Sequence, residues 1–517
     1  MHTLRLKLDV KPNDESILEK RFRILAHISN QLRKKVKRML SRLRNDEQYQ
    51  QALQEYIRLK KLNSDDKQIK DDIQRLSKFM NDTRESIGLT KSGLEKYACV
   101  MQHRYKKNIS SHQVQAEVKH IMKGVDAVLF GNRKDVHYKK ELDFRTISGK
   151  SMSGVKIHFD QNDKKRRIDC YITWNGLTIP VKYDLSKADM YNDKNYVNEA
   201  LSVGKIKYCE IVRLWFKNGW HYYVNLYMTE NAPRKVVPGK STIGIDEGPS
   251  TIAAVSEDKV FLEELSPNCK NYNKKIAYFQ RKIDKSSRIM NPERYNDDGT
   301  CKKKSKDLPR WKFSKTCIRN KSKVRELYRK KSEYTKCTHE NLLNRMIQNS
   351  SVFVNEPMEF KALAKKSKTT KRQEKASIVT KSDGLKASVH KYKRKKRFGK
   401  SITDRSPNLV ISRLKQKCEQ YGLSYLETDK WKYKASQYDH VQDRYIKTSL
   451  SERFKNIGEY IVQRDLYSAF LQSCMASAEK PDREKCKKLF NNFITMQNEL
   501  INTMKATGNS YPSCFGF

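Results

Sequence analysis

Three stretches of the chain set a lone carboxylate against apolar neighbours: "STIGIDEGPSTIAAV" with Asp246 and Glu247, "SSVFVNEPMEF" with Glu356, and "IVQRDLYSAFLQS" with Asp465. Taken singly, each has an ordinary explanation. Asp-Glu-Gly-Pro is a turn sequence, a Glu at a strand end is usually solvated, and an Asp within a helix usually faces water. Taken together they share a chemistry. An apolar strand ends at Asp246, a second strand over 351 to 355 delivers Glu356, and a helix carries Asp465 on one face with Val462 at i−3 and Ala469 at i+4. Carboxylates from two strand ends and a nearby helix can converge on one point, where they repel unless divalent cations neutralise them. Hard oxygen donors suit Mg²⁺ or Mn²⁺. Two such ions, roughly 3.5 to 4 Å apart, activate a water and stabilise the departing 3′ oxygen of a phosphodiester. Asp246, Glu356 and Asp465 are therefore the candidate catalytic and metal-ligating residues, with two Mg²⁺ ions, or Mn²⁺ in their place, as cofactor.

The composition names the partner class. Among 517 residues, 108 Lys and Arg face 59 Asp and Glu, a formal net charge of +49. A particle with that excess repels itself until a polyanion neutralises it, which points to nucleic acid. The cations run along the whole chain, and no segment approaches the roughly 20 apolar residues of a membrane span. The opening "MHTLRLKLDV" lacks the apolar core and cleavage site of a signal peptide. No two of the eleven cysteines form a CxxC pair, so neither a zinc ribbon nor a disulfide framework is indicated. These features suit a soluble protein of a reducing compartment, such as the prokaryotic cytoplasm.

The elements that must position the acids can be read from periodicity. Leu4, Leu6, Leu8 and Val10 alternate as a short strand. A helix follows, with Leu25, Ile28, Leu32, Val36, Met39 and Leu43 on one stripe and Arg33, Lys34, Lys35, Lys37, Arg38, Arg42 and Arg44 on the other faces. Of these, Arg33, Lys34, Lys35 and Arg38 are candidate nucleic-acid contacts. "NSDD" then caps a second helix striped by Ile69, Ile73, Leu76 and Met80. After about residue 140 the pattern becomes alternating, with hairpin turns at Asn175-Gly176 and Asn218-Gly219, and predicts a small antiparallel β domain, a barrel that the N-terminal strand completes. "NAPRKVVPGK" reads as a linker. Beyond it, mixed strands and helices suit an α/β layer fold around one central sheet. Two basic runs, "KALAKKSKTTKRQEK" at 361 to 375 and "HKYKRKKRFGK" at 390 to 400, add Lys365, Lys366, Lys393, Arg394, Lys395, Lys396 and Arg397 as candidate nucleic-acid contacts close in sequence to Glu356.

The order G-I-D, then strand-E, then R-D-L-x-x-A resembles the three parts of a RuvC-type, RNase H-like nuclease. Over nearly its full length the chain is similar to the TnpB proteins of insertion sequences and the compact type V CRISPR effectors related to them. Further points of likeness are "NP" at 291 and 292, Trp311 with Ser314 before a long basic helix, and "GKSITDRSPNLVISRLKQKCEQYG" before the last strand. The resemblance implies a multidomain α+β chain. Residues 1–12 would form the first strand of an antiparallel β-barrel wedge domain, 13–138 an inserted helical recognition domain, and 139–238 the rest of the wedge barrel. Residues 239–430 and 461–517 would form a C-terminal RNase H-like (RuvC) α/β domain, with 431–460 an insert that binds target nucleic acid. In the family a zinc ribbon commonly occupies the place of that insert; here "KASQYDHVQDRYIKTSLSERF" keeps Ser436 and Gln437 but no cysteines, so no zinc is expected.

What the resemblance implies is an RNA-guided DNA endonuclease, with a guide RNA and a double-stranded target DNA bearing a short flanking motif as partners, and with monomer and homodimer both open. Two other readings stand beside it. A transposon-encoded DNA transposase also uses three acids, but attacks with a 3′ hydroxyl. A non-cleaving RNA-guided repressor would be expected to have lost one or more acids, and this chain keeps all three.

Overall fold

A long apolar stripe on a basic helix is stable only when another layer covers it, and this requirement organises the N-terminal half of the chain. The computed structural model describes residues 2–517 apart from 63–65, 132, 149–153, 163–166, 183–195, 198, 202–203, 217–218, 298, 303–304, 306, 365–373, 375, 381–385, 390–397 and 450. The chain divides into two units, Met1–Pro233 and Arg234–Phe517. The division falls within the stretch read as a linker.

In the first unit, α1 (Pro12–Asn45) begins on Pro12, which needs no N–H partner there. Leu25, Ile28, Leu32, Val36, Met39 and Leu43 are all buried. Against α1 lie α2 (Glu47–Leu62), α4 (Lys91–His103) and α5 (Ser111–Leu129), while α3 (Lys67–Ser86) packs on α2. Asp66 caps α3, accepting from Gln68 N at 2.9 Å, yet only Met80 of the expected stripe is buried.

The expected barrel is not what the described strands build. β1 (His2–Lys7), β2 (Thr146–Ser148), β6 (Ile206–Phe216) and β7 (Gly219–Met228) form one antiparallel sheet in the order β1-β7-β6-β2. β3 (Lys156–Asn162), β4 (Arg167–Trp174) and β5 (Leu177–Pro180) form a second. The N-terminal strand does join the sheet, paired along its length with β7. Closure fails because the two sheets are bridged only at Leu8 and Val181 among the described residues. Asn175 and Gly176 both take positive φ, 43° and 78°, as the tight β4–β5 hairpin requires.

In the second unit a five-stranded sheet has the order β10-β9-β8-β11-β14. β8 (Ser241–Glu247), β9 (Thr251–Val255) and β10 (Val260–Glu264) are an antiparallel meander. β11 (Ser350–Asn355) and β14 (Ser424–Glu427) run parallel to β8. Between β10 and β11 come α6 (Cys269–Met290) and α7 (Lys315–Asn349); the short α8 (Phe360–Ala364) follows β11. A hairpin of β12 (Ser377–Thr380) and β13 (Lys386–Val389) comes next, then α9 (Gly399–Arg405) and α10 (Pro407–Tyr421) before β14. Two small hairpins, β15 (Tyr438–Asp439) with β16 (Arg444–Tyr445) and β17 (Phe454–Ile457) with β18 (Tyr460–Gln463), lead to α11 (Arg464–Ser473). β19 (Met475–Ser477), β20 (Lys480–Pro481) and α12 (Arg483–Ala506) complete it.

Strand alternation sorts the core into two layers. Ile243, Ile245, Ile252, Ala254 and Phe353 pack with Leu343, Met346, Ile347 and Leu414 of α7 and α10. Ala253, Val255, Leu466, Phe470 and Phe493 form the layer made with α11 and α12. Gly244 and Asp246 alternate with Ile243 and Ile245, and so belong to the side on which α11 lies.

Candidate active site

Asp246 stands at the end of β8, opposite Ala253 of β9. Glu356 follows the last residue of β11, the parallel neighbour of β8, so the two acids leave the same end of the sheet. Asp465 reaches that place from the third element. The helix that carries it begins at Arg464, and Val462 belongs to β18. This corrects the expectation of a mid-helix acid flanked by Val462 at i−3. The cause is local: the Gln463 side chain caps the helix by accepting from Leu466 N at 2.8 Å, which starts the helix one residue before the acid. Asp465 thus sits in the first turn, where the helix dipole favours an anion.

Gly244 lets the helix come so near. A Cβ there would meet Ala469 O at 2.0 Å, Ser473 N at 2.3 Å and Gln472 C at 2.8 Å. Any side chain would displace α11 from the strand.

The electrostatics tie the three acids together. The Asp246 carboxyl is held well above the usual aspartate range, first by burial, then by the charges of Asp465 and Glu356, with Arg464 opposing them. Asp465 and Glu356 are also raised, each chiefly by burial. Arg464 and Arg453 pull Asp465 the other way, and the Arg464 Nε lies 3.6 Å from Asp465 Oδ1. The nearby Ala435 N–H partly offsets the shift of Glu356. All three acids retain intermediate surface exposure, as groups lining a recess do. Among the described residues, no three His, Cys, Asp or Glu side chains are grouped closely enough to enclose a metal ion as they lie. The arrangement is therefore three carboxylates in electrostatic contact, of which Asp246 is raised furthest.

Glu247 is the sequence neighbour of Asp246. It points to the other face of β8, is 5% exposed, and its carboxyl is pushed up to about 7 by burial. Its Oε1 accepts from Asn355 Nδ2 at 3.3 Å and from Met358 N at 3.4 Å, while Oε2 has no partner. Those contacts join the end of β8 to the residues on either side of Glu356. Two adjacent acids at a strand end, alternating between faces, are the signal that could have shown it. Gly244, two residues before Asp246, was equally legible as a site of close backbone approach.

The other candidate residues are distributed as follows. Arg33 turns inward, 6% exposed, and its Nη2 donates to Glu117 Oε1 at 2.8 Å while its Nε donates to Ser29. It is a structural cation, correcting its expected place on the outer face. Lys34 and Arg38 are exposed, and the Lys35 Nζ lies 3.8 Å from the centroid of the Tyr97 ring. Lys365, Lys366, Lys393, Arg394, Lys395, Lys396 and Arg397 lie outside the described residues. In the 431–460 segment, Asp439 accepts from Val441 N and Gln442 N, and His440 Nδ1 is 2.7 Å from the Tyr467 hydroxyl. That pair holds a turn together.

No protein-family model matches the chain, and no curated protein matches its sequence. Solved structures similar to it include a Cas12f1-sgRNA-target DNA complex, at 11% identity and a TM-score of 0.40, covering 90% of this chain and 97% of that one. A CRISPR-Cas12f ternary complex aligns at 11% identity and a TM-score of 0.27, covering 89% and 82%. A Cas12i1 R-loop complex after target DNA cleavage aligns at 9% identity and 0.24, covering 95% and 64%. Likeness at these scores carries no weight for function, and the reading of the site rests on its own residues. Among the described residues no helix is long and apolar enough to cross a membrane.

Proposed function

We propose that the chain is an RNA-guided DNA endonuclease that hydrolyses phosphodiester bonds with divalent cations at one RuvC-type site in an RNase H-like unit. The observation that carries this reading is the meeting of Asp246 at the end of β8, Glu356 after the parallel β11 and Asp465 in the first turn of α11, close enough that burial first, and then the charges of Asp465 and Glu356, raise the Asp246 carboxyl. Three acids from separate elements are kept in mutual repulsion, an arrangement that costs stability unless a cation binds there. Their donors are hard carboxylate oxygens, which fit Mg²⁺ or Mn²⁺. Asp246, Glu356 and Asp465 would hold the ions. Bound there, a pair of divalent cations supplies an activated water and charge neutralisation at the leaving oxygen.

The chain's own residues do the positioning. Gln463 caps the helix that presents Asp465. The Ala435 N–H faces the Glu356 carboxylate and favours its charge, and Glu247 fastens the backbone at Met358 to the end of β8. Arg464 and Arg453 set positive charge beside Asp465, where a phosphodiester would be drawn in. A net charge of +49 supplies the wider field for a polyanion. RNA guidance itself is supported by the sequence order of the three acid motifs and their resemblance to TnpB-like chains.

Sequencing the RNA that co-purifies with the protein, then offering DNA complementary to it, tests the proposal. A discrete RNA with a variable end, and Mg²⁺-dependent cutting only of DNA that matches that end, is the expected result. Bulk cellular RNA with no directed cutting would contradict it.

A further inference from the structure

The most exposed tryptophan side chain described in the molecule belongs to a turn that is tied to the candidate site. Trp431 is 74% exposed, in a segment whose sequence, "DKWKYKASQ", alternates lysines with aromatic residues. So exposed an indole presents a broad flat face to any partner that reaches it.

The turn beneath it is fixed on several sides. Thr428 N donates to Asn355 O at 3.1 Å, the residue preceding Glu356, and Asp429 N donates to Ala478 O at 2.7 Å. Asp429 Oδ1 accepts from Trp431 N at 2.8 Å. Two residues on, Tyr433 is fully buried and its hydroxyl donates to Leu471 O of α11 at 2.6 Å. The Ala435 N–H then lies close enough to Glu356 to oppose the rise of its carboxyl. The segment leaves β14, the parallel neighbour of β11, and passes back beside Glu356, so Trp431 stands on a loop tied down around the acid.

The charges around the indole suit a polyanionic strand. Lys430 Nζ lies 5.1 Å from the ring centroid, and Lys432 and Lys434 are exposed beside it. Lys430 pairs with Glu359 at 2.9 Å and Lys432 with Glu479. These are surface pairs, worth little, which phosphates can replace. A flat exposed ring with a lysine rim is the arrangement on which single-stranded bases stack.

We propose that Trp431 is a stacking platform for one base of the single DNA strand entering the site, fixing that strand in register with Asp246, Glu356 and Asp465. This rests on the nuclease reading above. It assigns Trp431 a substrate-positioning role that neither periodicity nor the acid motifs indicate.

The test uses the full-length protein with its co-purified RNA and two readouts. In the first, DNA oligonucleotides carrying 2-aminopurine at successive positions are bound in EDTA. Quenching at one position with wild type, lost with Trp431→Ala and kept with Trp431→Phe, is expected. In the second, kcat/KM for Mg²⁺-dependent cutting falls about 10-fold in Trp431→Ala and is mostly recovered in Trp431→Phe. An abasic nucleotide at the quenched position costs wild type the same factor and costs Trp431→Ala nothing further. Quenching that is indifferent to Trp431, quenching of an RNA oligonucleotide in place of DNA, or cutting rates that add independently would overturn the inference. Absence of all cutting while Trp431-dependent quenching persists would instead count against the nuclease reading and leave the stacking role standing. Because Trp431 is exposed, its replacement leaves folding intact, which the thermal melt checks.

Discussion

Gly244 of β8 and Ala469 of α11 meet backbone to backbone: a Cβ added to the glycine would stand 2.0 Å from the Ala469 carbonyl oxygen. Asp246 lies two residues along the same strand face and Asp465 one helical turn before Ala469, so this contact sets the spacing of two candidate ligands. Gly244→Ala should push the helix outward while leaving the fold recognisable by circular dichroism. A misplacement of this kind costs a catalytic constellation about 100-fold in rate. Wild-type cutting by the variant would show that the contact is only packing.

The cations of α1 should separate into two classes. Arg33 is buried against Glu117 and Ser29, so Arg33→Ala strands a buried carboxylate and should cost about 3 to 5 kcal/mol in denaturant unfolding. Lys34→Glu and Arg38→Glu lie on the exposed face and should change stability by less than about 0.5 kcal/mol. Their effect belongs in RNA binding, where each lost phosphate contact lowers the salt slope by roughly one. An unchanged slope would make them ordinary solvated residues.

Glu247 makes a signed prediction about pH. Its folded pKa of about 7 exceeds the roughly 4.3 of an unfolded glutamate, so the native state holds the extra proton. The stabilisation it contributes is complete below about pH 4.3 and is lost as the pH rises through about 7. Glu247→Gln cannot ionise. In EDTA its unfolding free energy should approach that of wild type at pH 5 and exceed it at pH 8, by a margin on the order of 3 kcal/mol. Parallel pH curves for the two proteins would refute the assignment.

The three site acids carry the same sign. Burial raises all three, and neighbouring charge adds to the rise at Asp246, so the metal-free protein should lose stability as the pH climbs above the unfolded carboxylate range. Ligands must shed protons before they bind a cation. Mg²⁺ should therefore raise the melting temperature at pH 8 and leave it nearly unchanged at pH 5. Asp246→Asn should abolish the difference. Equal Mg²⁺ shifts at both pH values would place the ion elsewhere.

The acids themselves were legible because each closes an apolar run, and strand alternation set Asp246 and Ile245 on opposite faces. The stripe of α1 was legible for the same reason, since six apolar residues at helical spacing must be covered. What periodicity could not supply was the helix start at Arg464, set by a Gln463 side chain reaching Leu466 N, or the inward turn of Arg33, set by a glutamate 84 residues away. The barrel was overread: alternation identifies strands and hairpins, whereas closure depends on pairing between distant strands, and here it is confined to Leu8 and Val181 among the described residues. Around Trp431 lysines alternate with aromatic residues, but that alternation does not say which ring is buried; Tyr433 goes into the core and Trp431 stays out because of the anchoring of the turn below it.

In the proposed nuclease Asp246, Glu356 and Asp465 act as one charged unit, and the most direct measurement is cutting of guide-matched DNA in Mg²⁺ by wild type and by Asp246→Ala, with RNA binding followed in parallel. The predicted result is cutting by wild type, none detectable by the variant, and RNA affinity within about twofold, since the missing carboxylate makes no phosphate contact. Cutting by Asp246→Ala at the wild-type rate would contradict the account.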